Sequence, residues 1–304
     1  MITISVVIPS YNSEQTIRSC LEAILKQKPR GAFEVLVVDS STDSTPDIIR
    51  REFPTVKLIH LDEKADPGTA RNLGVKEAQG RLIAFVDSDC IAASDWLLKM
   101  EEAHTGDIVA VGGSIDNGNP HSLISRAGYL CEFRDFLPGI PKQLVQHIAT
   151  GNSSYQKSVL VEKGGFFGEF QEDLLFNWRL SQEGKKILFD PTIQVHHFHR
   201  THLKDYLKHQ YKIGRTTVQV LKKTDLQGSF IVRHPVLAAG ILPVLPFVKF
   251  IRTIYTFIKF RSIHSLGPPL VIPLFCLGLF SWALGFASGV YGSPFKIKGE
   301  DKNP

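Results

Sequence analysis

The first half of the chain alternates short β-branched runs with longer stretches in which apolar residues recur every three or four positions. Such alternation predicts βαβ units, hence an α/β domain on a mostly parallel sheet flanked by helices. The clearest strands are Ile4–Pro9, Phe33–Asp39, Val56–Leu61 and Arg81–Asp87, with another over Asp107–Ser114. Helical spacing covers Ser13–Lys28, Thr45–Glu52 and Gly68–Ala78; Ser13 and Ser44 or Thr45 suit the N-cap, and Pro46 is tolerated in a first turn. Leu203–Lys223 places Leu203, Tyr206, Leu207, Tyr211, Val218 and Leu221 among Lys204, Lys208, Lys212, Arg215, Lys222 and Lys223. That is a basic amphipathic helix, fitted to a membrane surface or to a solvated face packed on the domain. Past His234 the pattern changes: Pro235–Ile251 is apolar with three prolines, Lys249–Arg261 is basic and amphipathic, and Gly267–Gly292 is apolar without a charge. About 20 such residues cross a bilayer as a helix, so the last run is a transmembrane candidate.

With 304 residues, 43% hydrophobic and 21% charged, the chain is too long and apolar for a disordered tail or a small module. Cys20, Cys90, Cys131 and Cys276 lie far apart with no C-x-x-C pair, so they are expected to be reduced, cytosolic thiols. The net charge of +5 hides a division. Residues 1–193 hold 20 Lys and Arg against 26 Asp and Glu, whereas 194–264 hold 12 against 2. An acidic body followed by a basic stretch and an apolar run fits an anionic membrane better than nucleic acid. Nothing ahead of the first strand has a signal-peptide pattern.

In a parallel sheet the carboxyl ends of the strands line the ligand crevice. Three polar clusters fall there: Pro9-Ser10-Tyr11-Asn12, Asp39-Ser40-Ser41-Thr42-Asp43 and Asp87-Ser88-Asp89. Each taken singly is also an ordinary turn. The third says more, because two carboxylates two residues apart at a strand end are expected to point the same way and repel unless a cation sits between them. Oxygen ligands select Mg²⁺ or Mn²⁺, which bridge diphosphates.

These segments resemble the family 2 glycosyltransferases, the inverting group with the nucleotide-sugar-binding GT-A fold. The resemblance covers roughly residues 3–220. Val6–Asn12 is similar to the family's opening strand and nucleotide loop, Val37–Asp43 to its second strand end, where an aspartate meets the base, and Pro67–Gly74 to a helix that brings an arginine, here Arg71, towards the nucleotide. Asp87-Ser88-Asp89 matches the DxD motif, implying that Asp89 ligates the metal and that Asp87 holds the ribose or the metal shell. The implied donor site is Pro9, Ser10, Tyr11, Asp39, Arg71, Asp87 and Ser88. Many members have two adjacent aspartates where this chain has Asp39-Ser40, which leaves uridine, guanosine and thymidine open. Ala149–Ser153, Gly164–Gly168 and Gln171–Leu180 are similar to the acceptor half, with Gly151, Asn152 and Trp178 on the acceptor side. Asp173 is the implied general base, with Glu172 orienting it or contacting the acceptor; both also suit a helix N-terminus. Of the adjacent His196 and His197, which point to opposite faces of a strand, the family pattern favours His196 as a metal or diphosphate contact; surface histidines near an anionic membrane are the other reading. Gln210–Arg215 lacks the Gln-x-x-Arg-Trp motif of processive members, which favours transfer of one sugar.

The expected organisation is a GT-A domain over 1–223, with 198–223 as a basic interfacial helix, a hydrophobic membrane-associated region over 234–292 with a basic linker at 249–265, and a polar tail at 293–304. The expected activity is inverting transfer of one sugar from a nucleotide-diphosphosugar to a lipid-linked or glycolipid acceptor, at the cytosolic face of the cell membrane. Two alternatives stand beside it: a non-catalytic nucleotide-sugar-binding membrane scaffold, and a sugar-phosphate nucleotidyltransferase. The second would want a Gly-rich, cationic phosphate loop that Pro9–Glu14 does not provide. Two full crossings would put Lys249–Arg261 outside, against the positive-inside rule, whereas a Pro-broken re-entrant segment would keep it in the cytosol.

Overall fold

The computed structural model describes residues 2–167, 171–260 and 263–292. Gly168, Arg261 and the expected tail at 293–304 lie outside these residues. In chain order the elements are β1 (Ile2–Ser10), α1 (Ile17–Leu25), β2 (Ala32–Asp39), α2 (Thr45–Glu52), β3 (Lys57–His60), α3 (Pro67–Glu77), β4 (Leu82–Val86), β5 (Cys90–Ala92), α4 (Trp96–Ala103), β6 (Ile108–Asn117), α5 (Leu123–Glu132), β7 (Gln143–Val145), β8 (Asn152–Gln156), α6 (Lys157–Glu162), α7 (Glu172–Gln182), β9 (Lys186–His197), α8 (Leu203–Lys223), α9 (Ser229–Arg233), α10 (Pro235–Ile241), α11 (Leu245–Lys259) and α12 (Val271–Tyr291). They form two compact units: the chain up to Gly118 with Pro141–Phe198, and Asn119–Ile140 with the chain from His199 onward. This differs from a boundary at 223, because α8 packs with the C-terminal helices.

In the first unit the described strands make one sheet in the order β3-β2-β1-β4-β8-β6-β9-β5, with β7 on β9. β3, β2, β1 and β4 run parallel, and α1, α2 and α3 supply the helical crossovers that parallel neighbours need. Beyond β4 the sheet is mixed rather than parallel: β8 runs antiparallel to β4 and β6, β9 parallel to β6, and β5 and β7 antiparallel to β9. All five residues of β4 are buried, as are Ile4, Val6, Val7 and Ile8 of β1, because helices cover both faces. The register pairs Ser10 with Asp39 and Val7 with Phe85, which sets the carboxyl ends of β1, β2 and β4 side by side. A Cβ at Gly74 would run into the Val7 side chain, so the glycine lets α3 lie close on β1.

Four aromatic rings lock α7 to the sheet. Phe85 of β4 packs edge-on to Tyr155 of β8 and to Phe166, with centroids 6.0 and 5.4 Å apart, and Phe176 of α7 closes the group on Tyr155 at 5.6 Å. Asn152 pins β8 from the other end. Its amide donates to the carbonyls of Ser114 at 2.7 Å and Ile193 at 3.0 Å, while its oxygen accepts the Trp96 indole N–H at 2.8 Å.

In the second unit α8 and α12 pack along their lengths. Val218, Leu221, Trp282, Phe286 and Val290 are core residues there, joined by Val232 of α9 and Ala238 of α10. The Lys249 ammonium lies 3.9 Å over the Trp282 ring. Glu132, at the end of α5, is partly buried with His209 at 3.5 Å and accepts the Gln210 amide at 2.6 Å. Burial alone would raise its carboxyl, but the charges of His209, His199 and Arg200 hold it well below the usual range.

Replacing Asn152 by Ala leaves two buried carbonyls and the Trp96 N–H without partners. Urea unfolding is expected to show a loss of about 2–4 kcal/mol; a loss under about 1 kcal/mol would mean that water takes over these bonds.

Candidate active site

The segments expected at the donor site begin where β1 stops. Asn12 takes a left-handed conformation, φ 51°, which asparagine tolerates because its short side chain bonds locally. Its N–H donates to the Ser41 hydroxyl at 2.7 Å and its side-chain oxygen accepts the Thr42 N–H at 2.9 Å, tying the loops after β1 and β2 together. Asp39 is fully buried between the Ser41 hydroxyl, 2.6 Å away, and the His60 ring, 2.7 Å away. The β2–β3 register puts His60 opposite Asp39. Tyr11 is exposed with the Lys64 ammonium 3.8 Å over its ring. Pro9 is half-buried, and the buried Ser10 hydroxyl has no hydrogen-bond partner.

Asp87, Ser88 and Asp89 form the turn between β4 and β5, closed by the Cys90 N–H on the Asp87 carbonyl at 3.0 Å. The two carboxylates therefore do not share one direction, and their repulsion is relieved separately. Asp87 pairs with Arg71 at 2.6 Å, while Asp89 lies 3.5 Å from His197. The Ser88 hydroxyl, expected at the donor site, is buried against the Ser13 hydroxyl at 2.7 Å. Of the two adjacent histidines it is His197, not the expected His196, that lies beside Asp89. β9 pairs antiparallel with β5, placing His197 opposite Cys90 and His196 opposite Ile91, so strand alternation turns His197 to Asp89 and His196 away.

Asp89, Cys90 and His197 bring one ligand atom each within 4.8 Å of one another. Burial, with Asp89 and Asp87 nearby, raises the Cys90 thiol well above its usual value. A carboxylate with an imidazole, open to diphosphate oxygens, is a donor set that fits Mn²⁺ or Mg²⁺.

The buried Arg71 guanidinium bridges Asp87 and Glu172. Burial raises the Glu172 carboxyl to about 7, with Asp173 adding to the rise and Arg71 opposing it. Asp173 goes the other way. Burial would raise it, but His147, 3.8 Å away, the Arg71 charge and the Thr150 N–H outweigh that and hold it below the usual range. A Cβ at Gly151 would come within 2.8 Å of the Asp87 carboxylate, which would then have to shift. Gly151 thus sits beside Asp87, and Asn152 spends its amide on the sheet rather than on a ligand. Trp178 is half-buried on α7.

Residues that sequence reading missed are His60 and His147; of the adjacent histidines it weighed both and favoured His196, whereas His197 is the one beside Asp89. His60 could have been found from strand order, because a β3 beside β2 puts it level with Asp39. His147 carries no local signal.

Residues 5–163 match the model of the family described as Glycosyl transferase family 2. Glycosyltransferase AglE of Haloferax volcanii is 28% identical over 258 residues, 80% of this chain and 82% of that protein. The dolichyl N-acetyl-alpha-D-glucosaminyl phosphate 3-beta-D-2,3-diacetamido-2,3-dideoxy-beta-D-glucuronosyltransferase of Methanococcus voltae is 25% identical over 326 residues, 96% of this chain and 99% of that one. Among solved structures, the mannosyltransferase PcManGT from Pyrobaculum calidifontis, in complex with GDP-Man and Mn²⁺, gives a TM-score of 0.61 at 18% identity over 95% of this chain and 87% of its own. TarS 1–349 of S. aureus in complex with UDP-GlcNAc gives 0.52 at 20% identity over 100% and 98%. The likeness is one of fold, the GT-A fold.

Arg71→Met leaves Asp87 and Glu172 without their cation, which is expected to cost about 3–5 kcal/mol at pH 8. The folded state binds the Glu172 proton more tightly than the unfolded chain does, so stability falls as pH rises from about 4.5 to 7. The deficit of the variant should therefore shrink at pH 5. An equal deficit at both pH values in denaturant titrations would show that Glu172 is not the source.

Proposed function

The chain belongs to glycosyl transferase family 2, and on that premise we propose that it moves one sugar, with inversion, from a nucleotide-diphosphosugar to a lipid-linked or glycolipid acceptor. The observation that carries this reading is the Arg71 bridge, which holds Asp87 of the donor side and the Glu172-Asp173 pair of the acceptor side in one cluster. Asp39, fixed by His60 and Ser41, offers an acceptor oxygen for the base. The bound cation would be held by Asp89 and His197, and its charge would stabilise the departing diphosphate. Asp173, kept ionised, takes the proton of the acceptor hydroxyl. As that oxygen bonds to the anomeric carbon, the carbon's bond to the diphosphate oxygen breaks, and the nucleoside diphosphate leaves with the electron pair. Arg71 neutralises the carboxylates around this centre so that Asp173 alone remains a free base.

The lipid-linked acceptor draws on the Methanococcus voltae relative, whose name includes a dolichyl phosphate substrate and whose whole length aligns. It draws as well on the basic and apolar character from residue 194 onward, which suits the cytosolic face of a cell membrane. The solved neighbours carry GDP-Man in one case and UDP-GlcNAc in another, so the fold is compatible with either base. Released nucleotide measured across a panel of nucleotide sugars, with Mn²⁺ or Mg²⁺, tests the activity; no release with any donor would favour the scaffold reading.

Asp89→Ala is expected to abolish turnover together with the metal-dependent part of nucleotide diphosphate binding, and calorimetry with and without Mn²⁺ checks it. Asp173→Asn should keep donor binding and cut kcat by roughly 10²–10⁴. A general base is lost as pH falls through its pKa, and His147 is what lowers that pKa. His147→Ala should therefore move the acid limb of kcat/KM to higher pH, and an unmoved limb would assign the base elsewhere.

A further inference from the structure

Among the described residues α12 alone is long and apolar enough to cross a bilayer, while α10 and α11 pass the same test only as a pair bent by 61°. Composition would make α12 a span. Its packing does not permit it. α12 lies parallel to α8 along its whole length: Gly278 faces the Tyr206 side chain, Gly285 the backbone of Tyr211 and Gly289 that of Arg215, while Gly214 of α8 faces the Trp282 carbonyl. Each glycine removes a Cβ that would strike the other helix. Hydrogen bonds add to the seam, from the Tyr206 hydroxyl to the Leu274 carbonyl at 3.2 Å, from the Ser281 hydroxyl to the Leu207 carbonyl at 2.8 Å, and from the Lys222 ammonium to the Gly289 carbonyl at 3.1 Å. Helices seated backbone to backbone share one depth in any membrane.

α8 cannot sit in hydrocarbon. It carries Lys204, Lys208, Lys212 and Arg215 in its first four turns and Lys222 and Lys223 at its end. A crossing would put Lys212 and Arg215 near the bilayer centre, where each cation shifts insertion unfavourably by roughly a hundredfold. The outer face of α12 is nonetheless apolar. Its exposed residues Pro273, Leu277, Phe280, Leu284 and Tyr291 fall on one stripe. α11 presents Phe247, Ile251, Tyr255 and Ile258 in the same way, and the Phe247 ring meets Phe280 edge-on at 6.1 Å, making the two stripes continuous. Ile251 and Leu284 are each 66% exposed. Arg252 and Lys259, both exposed, fall along the edge of the α11 stripe. An apolar face edged by cations complements the boundary between acyl chains and anionic headgroups.

We infer that the second unit is monotopic: α11 and α12 lie along one anionic leaflet, held in its plane by α8, and no helix crosses. This rests on the membrane-bound reading above and refines it. The full-length chain, carrying protease-cleavable tags at both ends and His264→Cys between α11 and α12, is expressed and its membranes are collected as sealed vesicles with the cytosolic face outward. Both tags should be cleaved without detergent, and the introduced thiol should react with a membrane-impermeant maleimide beyond the background of the parent chain. A C-terminal tag protected until detergent is added would show that α12 spans, and a protected thiol between α11 and α12 with both tags open would show two crossings; either result overturns the inference while leaving a membrane enzyme. If the purified protein cosediments with neither phosphatidylglycerol-containing nor neutral vesicles, the membrane-bound reading fails as well. Ile251→Gln with Leu284→Gln should lower partitioning onto phosphatidylglycerol vesicles at least about tenfold, with donor hydrolysis in solution unchanged. Unaltered partitioning would remove these stripes from the contact.

Discussion

The buried guanidinium of Arg71 is the constraint on which the site depends. Two carboxylates, Asp87 and Glu172, meet it from segments 85 residues apart in the chain, and Glu172 has almost no water to solvate its charge alone. A lysine could not serve, since its single ammonium lacks the planar fork that reaches both partners. Everything nearby is arranged to place that fork. Gly74 lets α3 approach β1, β4 ends at Val86 immediately before Asp87, and the ring cluster of Phe85, Tyr155, Phe166 and Phe176 fixes α7 so that Glu172 arrives at the same point.

One consequence is a division of labour between adjacent carboxylates. Glu172 and Asp173 open the same helix turn, yet burial pushes the first up while His147, Arg71 and Thr150 hold the second down. Groups pushed apart in this way are what acid–base chemistry requires of a site. Asp39 and Asp89 are likewise each held beside a histidine.

In the second unit glycines rather than charges set the geometry. Gly214, Gly278, Gly285 and Gly289 bring α8 and α12 into backbone contact, so the most apolar helix of the chain is bound to one of the most basic. Hydropathy describes α12 alone, and that pairing limits what the helix can do in a membrane.

By itself the sequence determined the strand–helix alternation of the first half, the placing of polar clusters at strand ends, and the bounds of α8 at Leu203 and Lys223, because these follow from local periodicity and turn chemistry. Asp39, Asp87, Asp89, Glu172 and Asp173 were legible as candidates for the same reason. Only the tertiary structure decided which groups meet. That Asp87 turns to Arg71 and away from Asp89, and that His197 rather than His196 faces Asp89, depend on the turn after β4 and on the β5–β9 register; that Asn152 is spent on the sheet depends on the carbonyls of Ser114 and Ile193. Antiparallel pairing of β8 and the docking of α12 on α8 are decided likewise. Each joins residues far apart in the chain, and such contacts leave no periodic trace for a local pattern to carry.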